Sequence, residues 1–444
     1  MTIKHIIKGM IRFVRIVYSS MIIALSGIRD YYQKWFFIYY SSQKYKKKLA
    51  SLKGQKIKCA LLVFSGETFR EILYKISVES ERFEVSIIVC PVMNQNQNNR
   101  ERSIRTVYNE LCNRGYKNII LGYDFISKKT INIKREINPD IIIYTSPYRS
   151  LIGEQNYITH FQDTLTIYIP YFINNTIEYS MTYDELLHNA VWRYYVESDW
   201  HKRLSQTYSS NKGRNVVVSG YPGLDKLLDK EYHPIHYYWK SKDLKKKRII
   251  WAPHQTIDPN HSMYYSAFLI IADKMVQIAN KYQDEIEIAF KPHPFLFNNL
   301  CRVWGEEKAR GYYDLWRAMS NTCVVEGDYV DLFLTSDAII HDSASFITEY
   351  LVVNKPALRT YNGRDPKTQF NDFGLACLDN YYKAFSGEDV ESFVINVIRD
   401  YDPMKEKRTQ FIKDNLLKSN GKLPSEIIIE DILDSIDNQV LYHK

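Results

Sequence analysis

The stretch "IEIAFKPHPFL", Ile286 to Leu296, decides how this chain is read. Ile286, Ile288, Ala289 and Phe290 are apolar and predict a buried strand. The strand runs straight into Lys291-Pro292-His293-Pro294. Two prolines hold φ near about −65° and remove two N–H donors. One ammonium and one imidazole stand beside them. A plain strand end with turn prolines would look like this. So would an anion site at the carboxyl edge of a sheet.

Working outward, the same kind of apolar run recurs. "RIIWAPH" (248–254), "CVVEGD" (323–328), "DAIIHDSASF" (337–346) and "PALRTYN" (356–362) form one series with it. An earlier series reads "IKCALLVF" (57–64), "FEVSIIVC" (83–90), "NIILGY" (118–123), "DIIIYTSPY" (140–148), "TLTIYIPYF" (164–172) and "NVVVSGYP" (215–222). The runs are continuous rather than alternating, which suits parallel strands buried on both faces. Helical patterns separate them, including Phe69–Ser80, Arg100–Gly115 and Met263–Tyr282. Alternating β and α units predict an α/β chain of two doubly wound, Rossmann-like domains with a cleft between them. The expected divisions are 1–54, an N-terminal amphipathic segment; 55–230 and 231–422, the two Rossmann-like domains; and 423–444, a C-terminal helix.

Bulk properties agree with a folded chain. Of 444 residues, 45% are apolar and 14% aromatic, enough for sizeable cores. Glycine is scarce at 17, leaving little room for glycine-rich phosphate loops. Six cysteines stand at least 22 positions apart, so zinc spacing is absent and reduced thiols in a cytosolic setting are expected. Net charge is +8 and uneven, with Asp30 the single acid before residue 58. The uncharged run Ile16–Ile28 is too short to span a bilayer. With Arg12, Arg15, Lys44 and Lys46–Lys48 around it, the N-terminus reads as an interfacial helix on an anionic membrane surface. A helix packed on the protein's own domain is the plainer reading. Stacking and groove-reading elements of nucleic-acid binders are missing, so no nucleic-acid partner is expected.

The strand ends of the second series are polar. They carry His254, Lys291 with His293, Glu326-Gly327-Asp328, and His341-Asp342-Ser343-Ala344-Ser345. Asp342, Ser343 or Ser345 caps a helix running to about Val353, and a helix start suits a phosphate. Ordinary N-capping explains those residues equally well when they are taken alone. Glu349, one turn on, is placed to accept from a ribose. No metal-ligand pattern is present, and the triplet Asp400-Tyr401-Asp402 lies away from any strand end. No tightly bound cofactor is expected, with room only for a loosely held Mg²⁺ on a donor.

"VVVSGYPGLD", "RIIWAPHQTI", "AFKPHPFL" and "EGDYVDLFLTSDAIIHDSASFITEYLVVNKPAL", in that order, resemble the CDP-glycerol glycerophosphotransferases of teichoic-acid and capsule synthesis. The likeness runs over roughly Asn215–Leu378, with a looser match from Ile57 onward. It implies a GT-B-like fold, a CDP-glycerol or related donor, and a lipid-linked or polymer acceptor, with 55–230 as the acceptor domain and 231–422 as the nucleotide-donor domain. It also implies a peripheral position on the cytoplasmic face of the cell membrane. By position, Lys291 and His293 would contact the donor pyrophosphate. Asp342, Ser343, Ser345 and Glu349 would bind donor, with His341 beside them. Family members carry a His-Gly motif whose histidine is the proposed base. Here the corresponding strand reads "TIYIPYFIN", and His160 lies upstream. His254 becomes the candidate base, with His293 as an imidazolium stabilising charge. A GT-B glycosyltransferase using a nucleotide sugar, and an inactive membrane-tethered scaffold, are the rival readings.

Overall fold

The computed structural model describes residues 28, 31–64, 76, 81–241, 245–417 and 421–442. The helix expected over Phe69–Ser80 lies outside the described residues except for Ile76, as does the Ile16–Ile28 run except for Ile28.

The apolar runs form two parallel sheets. The first contains β1 (Ile57–Val63), β2 (Phe83–Val89), β3 (Ile119–Leu121), β6 (Ile141–Tyr144), β7 (Leu165–Tyr168), β8 (Arg193–Val196) and β9 (Val216–Val218). Between β3 and β6 a small hairpin, β4 (Tyr123–Asp124) with β5 (Lys129–Thr130), projects. The strand order is β3-β2-β1-β6-β7-β8-β9. The second sheet contains β10 (Lys247–Ala252), β11 (Ile286–Phe290), β12 (Thr322–Val324), β13 (Ala338–His341), β14 (Ala357–Thr360) and β15 (Tyr382–Ala384). Its order is β12-β11-β10-β13-β14-β15. Each order reverses once, between β1 and β6 and between β10 and β13, which makes both sheets doubly wound. Both faces of each sheet are covered by apolar clusters, as the continuous Ile and Val runs require.

Besides the small hairpin, two strands of the parallel sheets escaped the sequence reading. β8 reads "RYYV" and opens on a charge. Arg193 is nevertheless fully buried, and its Nε donates to Asp431 at 3.0 Å. Its Nη2 donates to Ser435 at 2.7 Å. Both partners belong to the C-terminal helix Pro424–Asp437. That helix therefore returns to the first sheet, where Ile428, Ile432 and Ile436 join the core. β15 is a short edge strand with only Ala384 buried.

Residues 31–52 are helical and lean on the first sheet. Tyr45 donates to the Ala190 carbonyl at 2.9 Å, and Lys48 reaches Asp140 at 2.6 Å. Ile38, Leu49 and Leu52 are buried. This part of the N-terminal segment packs on its own domain. Its outer face exposes Tyr31, Tyr32, Trp35, Phe36 and Tyr39. Among the described residues no helix is long and apolar enough to cross a membrane.

The carboxyl edges of the two sheets meet. Beyond β7, Asn175 Nδ2 donates to the Ala344 carbonyl at 3.0 Å, and Thr348 donates to Asn175 Oδ1 at 3.0 Å. Asn371 N donates to the Asn175 carbonyl at 3.0 Å. A side chain on Gly374 would sit 2.4 Å from that same carbonyl, so only glycine permits the approach. The loops beyond β7 and β13 are thus tied together at the mouth of the second sheet.

Candidate active site

A cavity of about 390 Å³ opens at the carboxyl edge of the second sheet. It lies over the ends of β10, β11 and β13, where the strand order reverses. His254, Lys291, His293, Ser343 and Ser345 line it, with Glu326, Gly327 and Tyr329 from the loop after β12. Phe297, Tyr313 and Phe346 supply apolar wall.

The prolines of "KPHP" have a positional reason. Lys291 N donates to the Trp251 carbonyl at 2.8 Å, and His293 N donates to the Pro253 carbonyl at 3.0 Å. Pairing with β10 therefore continues past β11 through residues 291 and 293. Pro292 and Pro294 hold the alternate positions, whose N–H groups would point away from β10. Lys291 and His293 are left projecting at the cavity on a stiff backbone. Lys291 is buried and donates from Nζ to the Gly327 carbonyl at 2.7 Å.

The two histidines stand together, their ring centroids 4.9 Å apart. Phe295 N donates to His293 Nδ1 at 3.2 Å. Thr256 N donates to His254 Nδ1 at 3.3 Å, and the Thr256 hydroxyl is 2.8 Å away. Burial holds the His293 pKa below its ordinary value. Burial, aided by His293 and Arg359, takes His254 down to about 3. Both rings are then neutral near pH 7. With Nδ1 accepting, the proton sits on Nε2, which becomes a hydrogen-bond donor. This corrects two expectations. His293 is not an imidazolium in the open site, and His254 is built as a donor rather than as the base.

Three more expectations change. Asp342 does not face the cavity. Its buried carboxylate accepts from His254 N at 2.5 Å, Ala267 N at 2.8 Å and Ser266 Oγ at 3.1 Å. Burial pushes its carboxyl up to about 6, while these donors and Arg359 oppose the shift, so it is ionised at neutral pH. Asp342 fixes the loop that carries His254. His341 lies beneath the site against the Tyr381 and Phe346 rings, with neither ring nitrogen partnered. Glu349 is buried behind Tyr329, to which it is hydrogen-bonded, and burial raises its pKa to about 8. The acidic residue among those lining the cavity is Glu326. The helix after Ser345 runs only Phe346–Leu351, and the Ser343 hydroxyl accepts from Ser345 N at 3.2 Å.

Arg359 went unnoticed in the sequence, as a lone charge inside "PALRTYN". It is buried and donates from Nη1 to the Ser343 carbonyl at 3.0 Å. A buried guanidinium below the serine loop adds positive field without lining the cavity. Tyr313 also went unnoticed; its hydroxyl is buried at the cavity wall without a partner. His160 is half-exposed beside Glu154 at 3.7 Å, in the turn after β6.

Glu349 gives a pH test. Its folded pKa of about 8 stands above the ordinary 4.5, so its contribution to stability is complete below pH 4.5. That contribution is lost as pH rises through about 8. Urea midpoints should show wild type losing on the order of 1 kcal/mol between about pH 7 and 9, while Glu349→Gln, neutral throughout, stays flat. Parallel curves would show that Glu349 is not buried as described.

A family model described as CDP-Glycerol:Poly(glycerophosphate) glycerophosphotransferase matches residues 174–411. The chain belongs to this glycerophosphotransferase family. The match takes in the whole second sheet and Asn174–Asn175. It extends past Asn215–Leu378 at both ends, and residues 57–173 lie outside it. Among curated relatives, the teichoic acid ribitol-phosphate polymerase TarL of Staphylococcus aureus (strain NCTC 8325 / PS 47) is 24% identical over 261 residues. That alignment covers 57% of this chain and 43% of TarL. TarK of the same strain is 24% identical over 255 residues, 56% of this chain and 46% of TarK. The chain thus spans less than half the length of these relatives. Among solved structures, a variant of the wall teichoic acid polymerase TagF matches with TM-score 0.55 and 13% identity, covering 94% of this chain and 99% of that one. The UDP-GlcNAc 2-epimerase of Neisseria meningitidis bound to UDP-GlcNAc matches with TM-score 0.53 and 11% identity, over 85% and 100%. At such identity these two show the fold alone, a GT-B-like pair of Rossmann units.

Proposed function

We propose that this glycerophosphotransferase-family chain moves a polyol phosphate from a CDP-activated polyol, CDP-glycerol or CDP-ribitol, onto a polymer or lipid-linked acceptor in teichoic acid or capsule synthesis. The observation that carries this reading is the cavity at the β10/β13 switch point. Lys291, two neutral Nε2–H imidazoles and two serine hydroxyls converge there above buried Arg359.

In this reading an acceptor hydroxyl oxygen attacks the β-phosphorus. A new P–O bond forms, the P–O bond to CMP breaks, and CMP carries away that electron pair. The hydroxyl proton passes to water or to the departing CMP phosphate. Negative charge spreads over the phosphoryl oxygens, which Lys291, His254 and His293 meet as pre-positioned donors. Phe297, Tyr313 and Phe346 offer apolar surface to the base, and Glu326 accepts from a sugar or polyol hydroxyl.

We place the reaction at the cytoplasmic face of the membrane. The support is the aromatic outer face of helix 31–52, with Lys44, Lys46 and Lys47 further along it. One assay tests both ideas. CMP release is followed with CDP-glycerol, CDP-ribitol, UDP-sugars and GDP-sugars, on acceptor lipid in neutral or anionic vesicles. Release from a CDP-polyol, faster on anionic vesicles, is expected. Release from a sugar nucleotide alone would make the chain a glycosyltransferase; no turnover of any donor would favour the scaffold reading; equal rates on both vesicles would remove the membrane assignment.

A further inference from the structure

The serine wall of the cavity is braced from the first unit of the chain. Ser343, Ser345 and Phe346 line the cavity. Ala344 stands between the serines, and two consecutive carbonyls of this loop are held by residues that do not line the cavity. Arg359, on β14, donates from Nη1 to the Ser343 carbonyl at 3.0 Å. Asn175, beyond β7, donates from Nδ2 to the Ala344 carbonyl at 3.0 Å. The first anchor belongs to the second sheet. The other spans 169 residues of chain and comes from the first.

Asn175 is built to hold that position. It is 1% exposed, and both ends of its amide are used, Nδ2 on Ala344 and Oδ1 accepting from the Thr348 hydroxyl at 3.0 Å. Ala344 precedes the helix Phe346–Leu351, and Thr348 lies in its first turn. One amide therefore braces both the loop and the helix that follows it. The main chain of Asn175 is held as well. Asn371 N donates to the Asn175 carbonyl at 3.0 Å, and Asn371 Nδ2 donates to the carbonyls of Asn174 at 2.9 Å and Thr176 at 3.1 Å. Asn371 Oδ1 accepts in turn from Gly374 N at 2.8 Å, capping the helix Asp372–Leu378. Thr176 also pairs with Phe370. Three consecutive carbonyls of the first unit are thus gripped by one asparagine of the second. Opening this contact would strand several buried donors and acceptors at once.

We propose that Asn175 is a positioning residue for the donor: it acts through the Ala344 carbonyl to keep Ser343 and Ser345 at the cavity wall, so a residue of the first unit completes the donor-binding loop of the second. The proposal rests on the reading of this cavity as the CDP-polyol site. Asn175 does not itself line the cavity, so its effect is on geometry. Donor affinity is where that effect shows, because a hydroxyl displaced by ~1 Å loses its hydrogen bond.

Calorimetry with CDP-glycerol and CDP-ribitol on the full chain tests it, beside hydrogen exchange of the peptide spanning 342–348. Asn175→Ala should raise the dissociation constant of the bound donor about 10-fold. The same change should accelerate exchange over 342–348 and leave the strand 286–290 as in wild type. In a Ser343→Ala, Ser345→Ala background, Asn175→Ala should add less than about twofold, since its effect passes through those hydroxyls. Thr348→Val releases the Asn175 amide without removing it, and should move exchange and affinity in the same direction by about threefold. It carries the test if Asn175→Ala does not fold. Unchanged affinity overturns the proposal, as does unchanged exchange, or a further loss of about 10-fold in the serine background. Faster exchange in a chain that binds neither CDP-polyol fails the donor reading and keeps the tie. CDP-polyol binding with unchanged exchange does the reverse.

Discussion

Lys291→Met should lower kcat/KM for the CDP-polyol by about 10²–10³-fold, the cost of removing one pre-positioned charge from a phosphoryl transition state. Lys291 is 7% exposed and anchored on the Gly327 carbonyl at 2.7 Å, so its ammonium is dry and directed. A charge held that way costs little to reorganise as the phosphoryl group develops charge. Methionine keeps the stem and its packing, and it relieves the desolvation of a buried ammonium. The melting temperature should therefore hold while turnover collapses. Steady-state CMP release with a parallel thermal scan separates the two effects. A fall of less than about threefold would remove Lys291 from the chemistry, since even a screened surface contact is worth that much.

Asp342→Ala should cost both stability and activity. The carboxylate accepts three hydrogen bonds, from His254 N, Ala267 N and Ser266 Oγ, and is fully buried. Removing it strands three donors and a cavity's worth of volume, for about 3–5 kcal/mol in all. The loop after β10 loses its tie to β13, so His254 no longer meets His293 at a fixed spacing. Activity at a temperature where the variant is still folded should fall by about 10²-fold or more, as small misplacements in a reacting site do. Asp342→Asn keeps the shape but turns an amide N–H toward donors, and should fall between wild type and alanine. Chemical denaturation and CMP release would read the two effects. A variant with wild-type stability would show that the buried network does not exist. A variant with weakened folding but full turnover would show that the network does not position His254.

The contrast between these residues explains what could be read in advance. "KPHP" projects correctly because a parallel strand alternates its N–H directions by a period of two, and prolines can stand only where no neighbour needs a donor. "HDSASF" misleads because it leaves that regular path. His341 closes β13 and points into packing, Asp342 turns back to β10, and Ser343, Ser345 and Phe346 reach the cavity. Glu349 was placed by helical spacing, yet the helix is short and Tyr329, from another loop, stands in front of it. Whether a histidine is base or donor depended on the groups at Nδ1, Thr256 and Phe295, each two residues away and unremarkable in print.

The chain's own pattern settled two parallel doubly wound sheets, because continuous Ile and Val runs can be satisfied only by burial on both faces. It also settled the family, because the order and spacing of the strand-end motifs survive in one dimension. Tertiary structure decided the rest. Arg193 can be buried at the start of β8 because the C-terminal helix brings Asp431 to it, a pairing across 238 residues that no local propensity carries. Local pattern fixes which residues can be strands and strand ends. Only the packed chain fixes which side chains at those ends face the cavity and which turn back into the core.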